Sequence, residues 1–305
     1  MKNSYLFING IRVHYLQWGN YAAKHPIILL HGLASNARIW ELTAPYLEDL
    51  DCKIIAPDAR SHGLTDSPDG EYDFETFLGD LVGLIDVLAI ERPVIIGHSW
   101  GANRALDYAA RIPIGPRSPA GIILLDGGMG QLNQNVPGYP PPSWENVRER
   151  LTPPRLAGTS LDELTNRLKS MISAWEIKPV LHHQIVSIIL ENFSIYLDEA
   201  SGLECVTPHL PFEKHLQIVR SLWEFQTFEH FNRLRCPVLM VPARPRSPRT
   251  LADDTFLASK EYGISQALLR LKDLQVHWLE DTIHDVPLQR PTELSAQIAQ
   301  FCGRL

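Results

Sequence analysis

Near its start the chain runs Leu6-Phe7-Ile8, then Asn9-Gly10, then Ile11-Arg12-Val13-His14-Tyr15. Two β-rich runs around an Asn-Gly pair, residues that tolerate the positive φ of a two-residue turn, predict an antiparallel hairpin. Short apolar runs then recur at Pro26 to Leu30, Cys52 to Ala56, Pro93 to Ile96, Gly121 to Leu125, Pro237 to Val241 and Leu274 to Leu279. They lack polar alternation, which is what strands of a parallel sheet covered on both faces require. The stretches between them are long enough for crossover helices, and Glu75 to Leu88 is the clearest. The pattern predicts an α/β fold, a mostly parallel twisted sheet with helices on both faces.

The rhythm fails between Asp126 and Cys236, where about a hundred residues pass without a convincing strand, against usual connections of a few residues. An inserted helical unit over residues 129–232 is expected, interrupting a core made of 1–128 and 233–305. It opens on Pro137-Gly138-Tyr139-Pro140-Pro141-Pro142-Ser143-Trp144, whose fixed φ angles favour a stiff extended entry. Ser160-Leu161-Asp162-Glu163 then has the spacing of a capping box, and Leu161, Leu164, Leu168, Met171, Ile172 and Trp175 recur at helical intervals. Pro179 and Pro211 are each placed to start a further helix.

Composition narrows the classes without choosing among them. Of 305 residues, 45% are hydrophobic and 21% charged, so a sizeable core can be buried and disorder is excluded. The net charge of −7 predicts no attraction to nucleic acid or to an anionic membrane surface. No long apolar run occurs, and Met1-Lys2-Asn3-Ser4 leads straight into the strand pattern, so a cytoplasmic protein is expected. Cys52, Cys205, Cys236 and Cys302 are far apart in sequence and read as reduced thiols. The histidines form no His-Glu-x-x-His motif, and no metal is expected. Oligomeric state is not legible.

The chemistry centres on Gly97-His98-Ser99-Trp100-Gly101, directly after the run Pro93 to Ile96 and before the helical stretch Ala102 to Ala110. A strand-to-helix turn with small flanking residues holds a serine hydroxyl in a strained conformation above the sheet, so Ser99 is the candidate nucleophile.

In this motif and its placement the chain resembles the α/β-hydrolase fold family, from residue 5 to 303. The resemblance implies an oxyanion hole from the backbone amides of Leu33, in His31-Gly32-Leu33, and of Trp100. Pro57-Asp58-Ala59-Arg60-Ser61-His62-Gly63 is similar to a family loop expected to support the site. His284, in the loop after Val276-His277-Trp278-Leu279, matches the family's general base, and His277 is the lesser candidate because it lies inside a strand. The acid departs from the usual pattern, because Pro242-Ala243-Arg244-Pro245-Arg246-Ser247-Pro248-Arg249 contains no carboxylate where most members carry one. Asp126, ending the run Gly121 to Leu125, is a position from which some members supply it, and Asp253 and Asp254 are the alternatives.

The implied activity is that of a serine hydrolase, resembling carboxylesterases, which cleaves esters of small to medium apolar substrates without a cofactor. Haloalkane dehalogenases and epoxide hydrolases of this fold carry Asp at the nucleophile position, so Ser99 excludes their chemistry. An amide, lactone or carbon–carbon bond hydrolase uses the same machinery; a proline iminopeptidase-like activity would need acidic residues such as Glu204 or Glu213 in the cap. A ligand-binding, non-catalytic member of the fold is the alternative outside enzymes. The insertion corresponds to the family's helical cap, where Trp144, Trp175, Trp223, Phe225 and Phe228 are candidates for a pocket lining, each more readily explained as cap core. Arg244, Arg246 and Arg249 form a basic run that is expected to be a solvated loop.

Overall fold

The structure of the protein is a computed structural model, and it describes residues 1–19, 26–246 and 250–305, without the side chains of 251–253. The opening hairpin forms as expected: β1 (Lys2–Ile8) and β2 (Ile11–Trp18) pair antiparallel, with Asn9 and Gly10 both at positive φ in the turn. The later apolar runs become β3 (Ile27–Leu30), β4 (Ile54–Pro57), β5 (Val94–His98) and β6 (Gly121–Leu125). Two more strands complete the set, β9 (Val238–Val241) and β11 (Leu274–Val276). These eight strands form one sheet in the order β1-β2-β4-β3-β5-β6-β9-β11, parallel from β4 onward.

Side chains alternate between two apolar layers, which explains why the runs show no polar alternation. Ile27, Leu29, Ile54, Val94, Ile96, Ile123 and Leu125 belong to one cluster; Ile28, Leu30, Ile55, Ile95, Ile122 and Leu124 belong to the other. The crossover helices α1 (Phe74–Val87) and α2 (Trp100–Arg111) follow β4 and β5, and Asp73 caps α1 by accepting from the Thr76 amide. Burying a large aliphatic side chain contributes about 1.5–3 kcal/mol, so these layers supply much of the stability. Among the described residues, no helix is long and apolar enough to cross a membrane.

Between β6 and β9 lie α3 (Trp144–Leu151), α4 (Leu161–Ser173), α5 (His182–Leu190), α6 (Phe212–Glu224) and α7 (Thr227–Phe231). Ser160 caps α4 by accepting from the Glu163 amide, as its spacing predicts. A short 3₁₀ turn from Pro179 leads into α5, and Pro211 is the residue before α6. The segment also contains strands, contrary to expectation: β7 (Phe193–Asp198) and β8 (Leu203–Pro208) form a separate antiparallel hairpin. Leu164, Leu168, Ile172 and Ile185 join the same apolar cluster as one face of the sheet, so this segment packs onto that face. Loops after β3 reach it too, with Asn36 donating to the Ile188 carbonyl.

Beyond β9 the chain forms β10 (Ala243–Arg244), α8 (Leu251–Leu268), β12 (Leu279–Glu280), α9 (Val286–Gln289) and α10 (Pro291–Cys302). The run Leu274 to Leu279 is not one strand. After β11 the chain breaks at His277 and Trp278, and β12 pairs with β10 outside the main sheet. This short pairing follows β9 and β11 at their C-terminal ends and carries the chain toward His284.

Candidate active site

Ser99 follows β5 and precedes α2 with φ 56° and ψ −121°, a conformation that side chains rarely adopt. Its amide donates to the Leu125 carbonyl at 2.9 Å, and its carbonyl accepts from the Ala102 amide at 3.0 Å. The flanking glycines are a steric requirement: a Cβ on Gly97 would stand 2.1 Å from the Gly101 carbonyl oxygen, and one on Gly101 would stand 2.3 Å from that of Leu30. The turn therefore presses helix, strand and loop together at the point where Ser99 emerges.

His284 lies between β12 and α9, with Nε2 2.9 Å from Ser99 Oγ and Nδ1 2.7 Å from Asp126 Oδ2. Asp126 follows β6 at φ 43°. Its Oδ1 accepts from the Ala243 amide at 2.8 Å and from Lys260 Nζ at 2.8 Å. With Nδ1 donating to the carboxylate, Nε2 is left as the acceptor for the serine hydroxyl proton. The Asp126 side chain is 2% exposed and that of His284 is 44% exposed, so the carboxylate is sealed and the imidazole is open to an incoming molecule.

Electrostatics follow from this packing. Burial alone would raise the Asp126 pKa, but the hydrogen bond and charge of His284, followed by Lys260, outweigh it and hold the acid down at about 2. Burial pulls His284 down, while the hydrogen bond and charge of Asp126, joined by Asp285, prevail and raise it above its ordinary value. His98, buried beneath, is pushed down to about 4 by burial and then by His284, and its Nε2 donates to the His284 carbonyl at 2.8 Å. A neutral histidine thus anchors the main chain of a more basic one.

On the other side of Ser99, Gly32 lies so close that a Cβ there would meet the Ser99 Cβ at 3.2 Å. Among the described residues, the amides of Leu33 and Trp100 meet no acceptor within the chain. The loop carrying Leu33 is braced: His62 Nε2 accepts from the Ala34 amide at 3.3 Å, and His31 Nε2 accepts from the Ala59 amide at 3.0 Å. Asp58 accepts from the amides of Ala37 and Leu64, and Arg60 grips Asp80 through two hydrogen bonds. The Asp58–Gly63 loop thus bonds the loop that carries Leu33 through Ala59 and His62.

A family model described as the alpha/beta hydrolase family matches residues 27–297, nearly the whole chain. The chain belongs to the alpha/beta hydrolase family. It is 36% identical over 110 residues to epoxide hydrolase A of Mycobacterium tuberculosis, a match covering 34% of each chain, so it aligns with about a third of that relative's length. Among solved structures, E-2-(acetamidomethylene)succinate hydrolase superposes with a TM-score of 0.73 at 19% identity, covering 99% of each chain. The enol-lactonase of Burkholderia xenovorans LB400 superposes with a TM-score of 0.67 at 17% identity, covering 98% of this chain and 100% of that one. At these identities the superpositions establish a shared fold.

In this alpha/beta hydrolase, Ser99, His284 and Asp126 meet, and neither His277 nor Asp254 joins them. His277 sits in the break after β11, its amide donating to the Met240 carbonyl. Asp254 lies on α8, whereas the His284 Nδ1 is engaged by Asp126; the Asp253 side chain lies outside the described residues. Arg244 pairs with Glu261 and Glu280, and Arg246 with Glu176 and Asp281, so the basic run is a paired surface; Arg249 lies outside the described residues.

The protein also holds a cavity of about 700 Å³ between the loops after β3 and β4 and the segment that joins β6 to β9. Ala34 and His62 form its floor, and Leu164, Leu168, Phe193 and His215 are among its walls. Ser99 and His284 are not themselves in its lining; it adjoins them through Ala34, beside Leu33, and through His62, whose ring stacks on Trp100 at 5.4 Å. None of the aromatic residues singled out in the sequence lines it. Trp144 packs on Trp223, Phe225 on Phe74, Phe228 on Phe231, and Trp175 against the core cluster. Lys260 carries no sequence signal, because a lysine on a helix ordinarily faces solvent, and only the tertiary fold brings it to Asp126.

Proposed function

We propose that the protein is a serine hydrolase that cleaves carboxylic esters of small to medium apolar substrates through an acyl-enzyme on Ser99. The observation that carries this reading is the continuous hydrogen-bond chain from Ser99 Oγ through His284 to Asp126, at 2.9 Å and 2.7 Å. His284 Nε2 takes the hydroxyl proton as Oγ attacks the ester carbonyl, and the Leu33 and Trp100 amides stabilise the oxyanion. The imidazolium, steadied by Asp126, returns the proton to the departing alkoxide as the carbon–oxygen bond breaks. Water then enters, gives a proton to His284 and releases the acid, restoring Ser99. Every step uses groups of the chain, substrate or water.

The likeness to an epoxide hydrolase supports common ancestry of the scaffold. An alkyl ester formed on an Asp is hydrolysed at its carbonyl, whereas a serine alkyl ether has no such carbonyl, so Ser99 favours acyl transfer. Residues 129–232 serve in this reading as a cap, and the mainly apolar walls of the cavity beneath it favour an uncharged acyl or alcohol group.

The test is a panel of nitrophenyl esters, a lactone, an acyl amide and an aminoacyl-proline amide, together with a fluorophosphonate label. Ester turnover with labelling at Ser99, both lost in Ser99→Ala at unchanged circular dichroism, is the expected result. Turnover should rise with pH through a midpoint above about 6.5, because the raised His284 must lose its proton to act as base. Turnover of amide or lactone alone would replace the ester assignment, and a Ser99→Ala variant that keeps its activity would overturn the mechanism.

A further inference from the structure

We infer that Lys260 is a positioning residue of the site, one that fixes the Asp126 carboxylate toward His284 and balances the negative charge directed at that imidazole. The inference rests on the proposed role of Ser99, His284 and Asp126. Lys260 projects from α8 into a setting where its side chain is only 8% exposed. Its ammonium donates to Asp126 Oδ1 at 2.8 Å and to the Ala243 carbonyl, while the Ala243 amide donates to the same Oδ1. These three groups close a ring of hydrogen bonds around one carboxylate oxygen. The other oxygen, Oδ2, is thereby turned to His284 Nδ1.

A buried lysine needs a partner, and an ion pair between β6 and α8 would satisfy that need for stability alone. Two observations point further. The carboxylate that Lys260 grips is the one hydrogen-bonded to the candidate base, and the remaining charge around that base is one-sided. His284 is faced by Asp126 from the end of β6, by Asp285 from its own loop, and by neutral His98 from the end of β5, whose ring lies 4.8 Å away. Lys260, from α8, is the cation that opposes the two carboxylates. Removing its charge leaves the imidazole more basic, so a higher pH is needed to free Nε2.

The test uses Lys260→Met, Lys260→Gln and Lys260→Arg, with the rate of fluorophosphonate labelling at Ser99 and ester turnover followed against pH. Labelling reports the reactivity of Ser99 whatever the preferred substrate. Lys260→Met and Lys260→Gln should both move the midpoint up by about 0.5 in pH, less than the roughly 1–3 expected of a charge in direct contact. Lys260→Met, which also removes the donor, should slow labelling roughly tenfold, the scale for partners one step behind an acting group. Lys260→Arg should keep the parental midpoint, and as the charge-conserving change it preserves the comparison if the neutral variants do not fold. A parent that labels at Ser99 but whose neutral variants keep the same midpoint, or an Arg variant that shifts upward, overturns the role of Lys260. A parent that never labels overturns the serine hydrolase reading instead.

Discussion

Among the described residues, two buried aspartates each hold a histidine Nδ1 with nearly the same geometry. Asp58, just after β4, holds His14 Nδ1 at 2.7 Å; Asp126, just after β6, holds His284 Nδ1 at 2.7 Å. Both carboxylates also collect backbone amides, Ala37 and Leu64 for the first and Ala243 for the second. They differ in what the outer ring nitrogen meets. His14 Nε2 hydrogen-bonds the Asn3 side-chain oxygen, inside a pair that is 3% exposed on the histidine side. His284 Nε2 meets a serine hydroxyl on a strained turn, and its side chain is 44% exposed. An aspartate that orients a histidine is therefore an ordinary packing device; a nucleophile beyond it and access for a substrate are what convert the pair into a site.

Mutating the two aspartates should separate the pairs. Asp126→Asn is expected to lower kcat about 10⁴-fold, as for a mis-oriented imidazole, with near-native circular dichroism. Asp58→Ala removes the acceptor for the buried Ala37 amide, the Leu64 amide and His14 and should cost about 2–4 kcal/mol in urea unfolding, with activity falling only as the loop bearing Leu33 loosens. The comparison breaks if Asp58→Ala loses activity as steeply as Asp126→Asn while remaining fully folded. A smaller effect is expected from pH. The depressed Asp126 contributes stability that is complete above the unfolded value of about 3.9 and is lost as pH falls toward 2, so acid unfolding monitored by fluorescence should begin within that window. His284, raised instead, contributes stability that is complete below about 6.5 and fades as pH rises through its folded value, just where turnover grows. His14→Gln should cost about 1 kcal/mol and leave kcat within about twofold. Smallest of all, Arg246→Ala removes an exposed pair with Glu176 and should change neither property measurably.

The sheet and the serine turn are legible in the sequence because each follows from a local rule. Apolar runs without alternation mark strands buried on both faces, and Gly97 and Gly101 mark a turn where side chains cannot fit. The resemblance points to Asp126 as one candidate acid, but nothing near it in sequence distinguishes an orienting carboxylate from one that fixes a turn. Other features depend on distant partners. Lys260 looks like any helical lysine until α8 is laid beside β6. The hairpin of β7 and β8 leaves little signal because Phe193-Ser194-Ile195-Tyr196-Leu197 is short, lies among helices and joins no large sheet. Helical spacing favours a packed role for Trp144, Trp175, Trp223, Phe225 and Phe228, which they have, but it carries no signal for the cavity walls, such as Phe193 and His215.

β6 and β9 are hydrogen-bonded neighbours in the sheet, although the entire insertion lies between them in the chain. The polypeptide thus leaves and re-enters the scaffold through adjacent doorways, and the distance between them is set by strand pairing, whatever passes outside. The strand ends that carry Asp126 and Ala243 are thus tied directly to each other, the Asp126 amide donating to the Val241 carbonyl at 3.0 Å.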